Sequence, residues 1–263
     1  AALTFENLPQ AKLTVTKAVT DSETLKAPAT DKFTFNLYDT TGKKVSTQTV
    51  TGEGTGTFAN LTPGSTYYLE EAAAAGYALT EVKLGDTVLE AEDDGANEGR
   101  YEISITKENA GETLAVTVTN QYLKARVTIL KVDQANPSVS TALSGAEFTI
   151  APSGGGTSVV MKEIVENGKG TGQYTADVTP ALGGTAYTIT ETKAPENYEA
   201  SNEPITVTLK PGDAKTFDAG LLEGERKTPL TEDDLRAGLI MPNKRGANIT
   251  LFKYDNRHGA EDK

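Results

Sequence analysis

The chain has 263 residues, with 37 acidic against 25 basic side chains, a formal charge of −12 and no cysteine. Such a length accommodates two ordinary domains, and the acidity excludes the clustered Lys and Arg with which nucleic acid or an anionic membrane would be bound. The missing cysteines exclude disulfides, thiolate metal sites and cysteine nucleophiles. Threonine, valine, glycine and tyrosine recur in short runs and no apolar stretch approaches the ~18 residues of a membrane span, so an all-β protein is expected.

In chain order, residues 1–10 include TFEN, ending at Asn7, and LTVTK follows, ending at Lys17. The same two landmarks return as TVTN at Asn120 with VTILK at Lys131, and again as LIMPN at Asn243 with ITLFK at Lys253. Between them KFTF around Phe33 matches EFTI around Phe148, GEGTGTF from Gly52 matches GKGTGQY from Gly168, and YYLEE from Tyr67 matches YTITE from Tyr187. The offset grows steadily along the chain, as a true repeat with loop insertions requires. Two complete units are expected, at 11–122 and 123–246. Residues 1–10 then read as the last strand of a preceding unit and 247–263 as the first strand of a following one, so that Asn7 and Lys253 are half-sites expected to stay unbonded. No secretion signal or sorting motif is visible, which suits a mature form or an excised segment.

Within each unit apolar residues alternate, as in Leu13 and Val15 or Val127 and Ile129, and turn signals separate the runs: TGK at 41–43, TPGS at 62–65 and PSGGG at 152–156. Seven or so short antiparallel strands per unit predict a β-sandwich. The glycine runs GEGTG and GKGTG lack the Walker spacing and read as hairpin turns, AEDDGANEG at 91–99 reads as a solvated turn rather than a calcium loop, and His258 has no visible catalytic partner. At Thr231, TEDDLRAGL carries a Thr N-cap and an acidic first turn, which predicts a single helical turn at most.

Each unit sets three polar residues into apolar strand patterns: Lys17, Glu71 and Asn120, then Lys131, Glu191 and Asn243. Strand parity turns Lys17 and Lys131 inward, and a buried ammonium must be either neutral or partnered. In the first unit the glutamate is ambiguous, because YYLEEAAAAGY is one residue shorter than its counterpart. Counting from Tyr67 selects Glu71, counting back from Tyr77 selects Glu70, and the parity of Tyr67 and Leu69 favours Glu71.

LTVTK, then YTITETKAPENY at 187–198, then a closing VTVTN resemble the Cna protein B-type domains and related pilin domains of Gram-positive bacteria; Asn197 stands where that family's signature has glycine. The resemblance implies tandem immunoglobulin-like β-sandwiches on the extracellular, cell wall-anchored surface of a Gram-positive bacterium. It also implies a spontaneous isopeptide bond in each unit, Lys17 to Asn120 and Lys131 to Asn243, assisted by the glutamate. The function then expected is a stalk or shaft segment of an adhesin or pilus whose partners are neighbouring domains or subunits in a head-to-tail array. No cofactor, no metal, no membrane insertion and no turnover enzyme activity are expected. The alternative is a host-ligand-binding adhesin domain that uses the longer, more polar segment 212–238.

Overall fold

The computed structural model describes residues 7–223 and 228–246. In the first repeat, nine strands form in chain order: β1 (Ala11–Thr20), β2 (Lys32–Tyr38), β3 (Lys44–Thr51), β4 (Thr55–Leu61), β5 (Ser65–Glu71), β6 (Tyr77–Leu84), β7 (Thr87–Val88), β8 (Tyr101–Ile105) and β9 (Thr113–Tyr122). They make two sheets, β4-β1-β9-β6-β7 and β3-β2-β5-β8. Their facing sides bury Leu13, Val15, Phe33, Phe35, Phe58, Ile103, Val116 and Val118. Alternation in β1 puts Ala11, Leu13, Val15 and Lys17 on the buried face, so the lysine enters the core because the strand's pleat leaves it no other direction. Lys17 lies seventh in a ten-residue strand rather than at its end.

The first and last strands of this repeat are neighbours. β1 and β9 pair in parallel, with Lys17 opposite Val118 and Val19 opposite Asn120, so the asparagine lies two residues beyond the lysine's cross-strand partner and on the same buried face.

The second repeat contains β10 (Ala125–Asp133), β11 (Glu147–Pro152), β12 (Val159–Glu166), β13 (Lys169–Val178), β14 (Thr185–Lys193), β15 (Ile205–Leu209), β16 (Ala214–Thr216), helix α1 (Glu232–Ala237) and β17 (Ile240–Asn243). β12 pairs with both β11 and β13, which joins the two faces into one path, β15-β14-β11-β12-β13-β10-β16. The β12–β13 hairpin turns on Asn167 and Gly168, at φ 50° and 76°, the left-handed pair that a two-residue hairpin requires.

The last strand of this repeat is interrupted. β16 runs parallel to the start of β10, at Arg126–Thr128, and β17 runs parallel to its end, at Leu130–Asp133. Between the two the chain makes an excursion whose Leu235, Phe217, Leu221, Leu222 and Leu230 cover the outer side of β10 at Leu130 and Val132. This explains why β10 is apolar on both faces, whereas β1 has Thr16 and Ala18 in the matching outward places. The helix is longer than the single turn expected, six residues, because Thr231 and Asp234 form a reciprocal capping box and Leu235 anchors it in that cluster. The 91–99 segment is likewise more than a solvated turn: Asn97 is buried and donates to the Asp39 carbonyl.

Candidate functional site

In the first repeat, β1 supplies Lys17, the end of β5 supplies Glu71 and β9 supplies Asn120. The Lys17 amine lies 3.5 Å from Glu71 Oε1, and Asn120 donates its Nδ2–H to that same oxygen at 3.0 Å. Lys17 Nζ also donates to the Val118 carbonyl at 3.0 Å and sits 4.8 Å from the centre of the Phe33 ring. Glu70, the other candidate, points to the opposite side of the strand, where it accepts from Asn36 Nδ2 at 2.9 Å and the Tyr38 hydroxyl at 2.6 Å, with Arg100 nearby at 3.8 Å. Neighbouring residues on a strand face opposite ways, so only Glu71 meets Lys17.

In the second repeat, Lys131 of β10, Glu191 of β14 and Asn243 of β17 meet in the same way. The lysine lies 3.1 Å from Glu191 Oε1, and Asn243 donates its Nδ2–H to that oxygen at 2.9 Å. Here Lys131 Nζ is in direct contact with Asn243 Oδ1, and Phe148 lies beneath the amine at 5.9 Å. The side chains of Lys131 and Glu191 have no solvent exposure.

Burial governs the electrostatics. Loss of hydration pushes each lysine down to about 8, the neighbouring carboxylate opposing the shift only in part. Burial raises Glu71, with Lys17 and Asn120 acting the other way. Glu70 contrasts with it: burial opposes its ionisation, but the hydrogen bonds from Tyr38 and Asn36 and the charge of Arg100 hold it below the usual glutamate range.

Sequence reasoning missed four residues at or beside the two sites. The backbone N–H of Ser201 donates to Glu191 Oε2 at 2.6 Å, a contact that no residue type announces. Phe33 and Phe148 form apolar floors under the amines. Asp133 is buried and accepts from Tyr198, at 3.1 Å, and Arg245, at 2.8 Å; the inward parity it shares with Lys131 was the available signal. Asn7 is exposed and outside any strand, residues 1–6 and Lys253 lie outside the described residues, and no described group of His, Asp and Glu could hold a metal ion.

The model of the SpaA prealbumin-like fold domain matches the chain twice, at residues 3–98 and 125–220. The chain belongs to this family. The SpaA matches each take in the lysine and the glutamate and stop short of Asn120 and Asn243. Two tandem prealbumin-like domains therefore make up most of the sequence. Among solved structures, this SpaA-type chain is similar to the Bacillus anthracis TIE protein, at 21% identity over 90% of this chain and 35% of that one, TM-score 0.37. It is also similar to a streptococcal ancillary pilin, at 16% identity over 91% and 63%, TM-score 0.38, and to GBS52, the minor pilin of Streptococcus agalactiae, at 12% over 92% and 99%, TM-score 0.35. The chain thus spans about a third of the first and under two thirds of the second. No curated protein matches it. Among the described residues no helix is long and apolar enough to cross a membrane.

Proposed function

We propose that the chain is a stalk or shaft segment of a cell wall-anchored adhesin or pilus on a Gram-positive surface, with domains at 11–122 and 123–246 that each close themselves by a Lys–Asn isopeptide bond. The observation that carries this reading is the meeting, in both domains, of a buried lysine, glutamate and asparagine between the first and last strands. Glu71 and Glu191 are assigned as proton relays, Lys17 and Lys131 as nucleophiles, and Asn120 and Asn243 as acceptors.

The chemistry follows from the surroundings. A lysine whose pKa burial has lowered to about 8 reaches its neutral form without a strong base. Its Nζ attacks Cγ of the asparagine, a new Nζ–Cγ bond forms and the Cγ–Nδ2 bond breaks. The glutamic acid gives a proton to the departing nitrogen and takes one from the attacking amine, so it ends as it began and one ammonia leaves. Holding all three groups in contact supplies the effective concentration that an amide exchange needs. It happens once per domain.

A bond between parallel first and last strands lies on the line of force when a domain is pulled by its termini. Load then passes from Lys17 directly to Asn120, and from Lys131 to Asn243, bypassing the sheets between. Such a stalk would work in a head-to-tail array of domains or subunits. Intact-mass measurement tests the reading: each bond removes one ammonia, about 17 Da, from the sequence mass, and a mass matching the unmodified sequence would sink it.

A second reading gives the segment 212–238 a host ligand to bind. It has weaker support, because the apolar side chains of that excursion are used in covering β10. Ligand binding that survives removal of 222–236 would dispose of it.

A further inference from the structure

The two candidate sites share lysine, glutamate, asparagine and strand register, but they are not equally assembled. In the second domain both oxygens of Glu191 are engaged: Oε1 faces Lys131 and Asn243, while Oε2 accepts from the Ser201 N–H at 2.6 Å. Lys131 already touches the Asn243 amide oxygen. In the first domain Glu71 Oε2 and Asn120 Oδ1 are buried with no hydrogen-bond partner among the described residues, and the Lys17 amine donates to the Val118 carbonyl instead of facing Asn120.

The cause lies in the chain that follows each glutamate. Tyr77 and Tyr198 are matched residues, and three positions beyond them stand Thr80 and Ser201. In the first domain this stretch is strand β6, paired with β9 at Tyr77–Leu79 and again at Glu81–Leu84 with a bulge at Thr80, whose hydroxyl donates to the Thr119 carbonyl at 3.0 Å. In the second domain the described residues keep only an isolated bridge from Tyr198 to Arg245, and the chain turns back over the end of β14. That turn delivers the Ser201 N–H to Glu191. Held to β9 on both sides of its bulge and by the Thr80 hydroxyl, the first domain's chain does not turn back to Glu71, whose Oε2 stays without a partner among the described residues.

Resting on the crosslinking function proposed above, we infer that the Ser201 backbone N–H is a positioning group for the second domain's reaction, and that the two bonds form in a fixed order, Lys131–Asn243 before Lys17–Asn120. The N–H fixes the carboxyl rotamer, so that the oxygen relaying the proton from Nζ to the departing Nδ2 is already between them. In the first domain the carboxyl is held on one side only, and Lys17 must first leave the Val118 carbonyl. The bonds made and broken are the same in both: Nζ–Cγ forms, Cγ–Nδ2 breaks and ammonia departs.

The full chain made by cell-free translation, quenched at intervals and followed by intact mass with peptide mapping, tests this. The expected course is an intermediate with one ammonia lost whose crosslinked peptide joins Lys131 to Asn243, followed by the doubly bonded product. Equal rates, or Lys17–Asn120 first, would overturn the order while leaving the crosslinking function intact; formation of neither bond would remove that function and this inference with it. Ser201→Pro deletes the N–H and is expected to slow the second bond about tenfold, the rate equivalent of losing one hydrogen bond. Ser201→Ala keeps the N–H and is expected to react at the wild-type rate. A proline variant that reacts at full speed, or an alanine variant slowed equally, would refute the assignment, and the wild-type order of bond formation decides the question should the proline variant fail to fold.

Discussion

Replacing Lys131 by Met removes the amine while keeping a straight side chain of similar reach above Phe148, which makes it the cleanest test of the second bond. Glu191 keeps its hydrogen bonds from Asn243 Nδ2 and the Ser201 N–H, so it is not left without partners in the core. The loss is then mainly that of loop closure. The sequence separation between Lys131 and Asn243 is 112, and a covalent loop of that size restrains the unfolded chain by about 4.8 kcal/mol in the chain-entropy treatment used for disulfides. For a domain of this size that corresponds to a fall in melting temperature of roughly 20 °C. Calorimetry of the full chain should show the second domain's transition displaced by that order and the first domain's unmoved, while intact mass rises by one ammonia beyond the change of side chain. A variant whose mass still lacks both ammonias would place the chemistry elsewhere. A variant that loses the bond yet melts at the wild-type temperature would refute the entropic reasoning.

Glu71→Gln should abolish the Lys17–Asn120 bond by peptide mapping, whereas Glu70→Gln should leave it intact; the reverse outcome would overturn the assignment of the first-domain glutamate. Because Glu70 is held below the usual glutamate range, its contribution to stability is present above the unfolded pKa of about 4.3 and is lost as pH falls through its folded value; acid melting curves of Glu70→Gln and wild type should therefore converge at low pH. The rate of Lys17–Asn120 formation in newly made chain should be greatest near neutrality, where the Lys17–Glu71 pair shares one proton, and should fall as pH rises past about 8 and that proton leaves. A rate still climbing at high pH would remove the glutamate's role as donor. Thr231→Ala should cost about 1 kcal/mol by breaking the capping box of α1, read as a small shift in the second domain's denaturation midpoint.

Much of the fold is legible in one chain because it is written twice. The alternation of Leu13, Val15 and Lys17, matched by Val127, Ile129 and Lys131, fixes which residues face inward with no knowledge of what they meet, since the pleat has period two. The same parity points to Glu71 over Glu70 and brings Asn120 and Asn243 to the buried face. Asn197 at φ 67° occupies the left-handed conformation for which glycine is usual. The length of α1 and the interruption of the last strand were not legible in this way. Their signal was the loss of alternation at Leu130 and Val132, where β10 is apolar on both faces, and that pattern has no meaning until something is known to cover the second face.

What the sequence by itself determined is direction: repeats, strand parity, and three polar residues per domain turned into an apolar interior. What only the tertiary structure decided is contact, because contact depends on register between segments far apart in the chain. The parallel pairing of β1 with β9 sets Asn120 two residues past the partner of Lys17, and the pairing of β10 with β17 does the same for Asn243 across an interrupted strand. The Ser201 N–H reaches Glu191 for the same reason: a backbone donor has no residue type to betray it, and only the path of the chain, strand in one domain and turn in the other, determines what it meets.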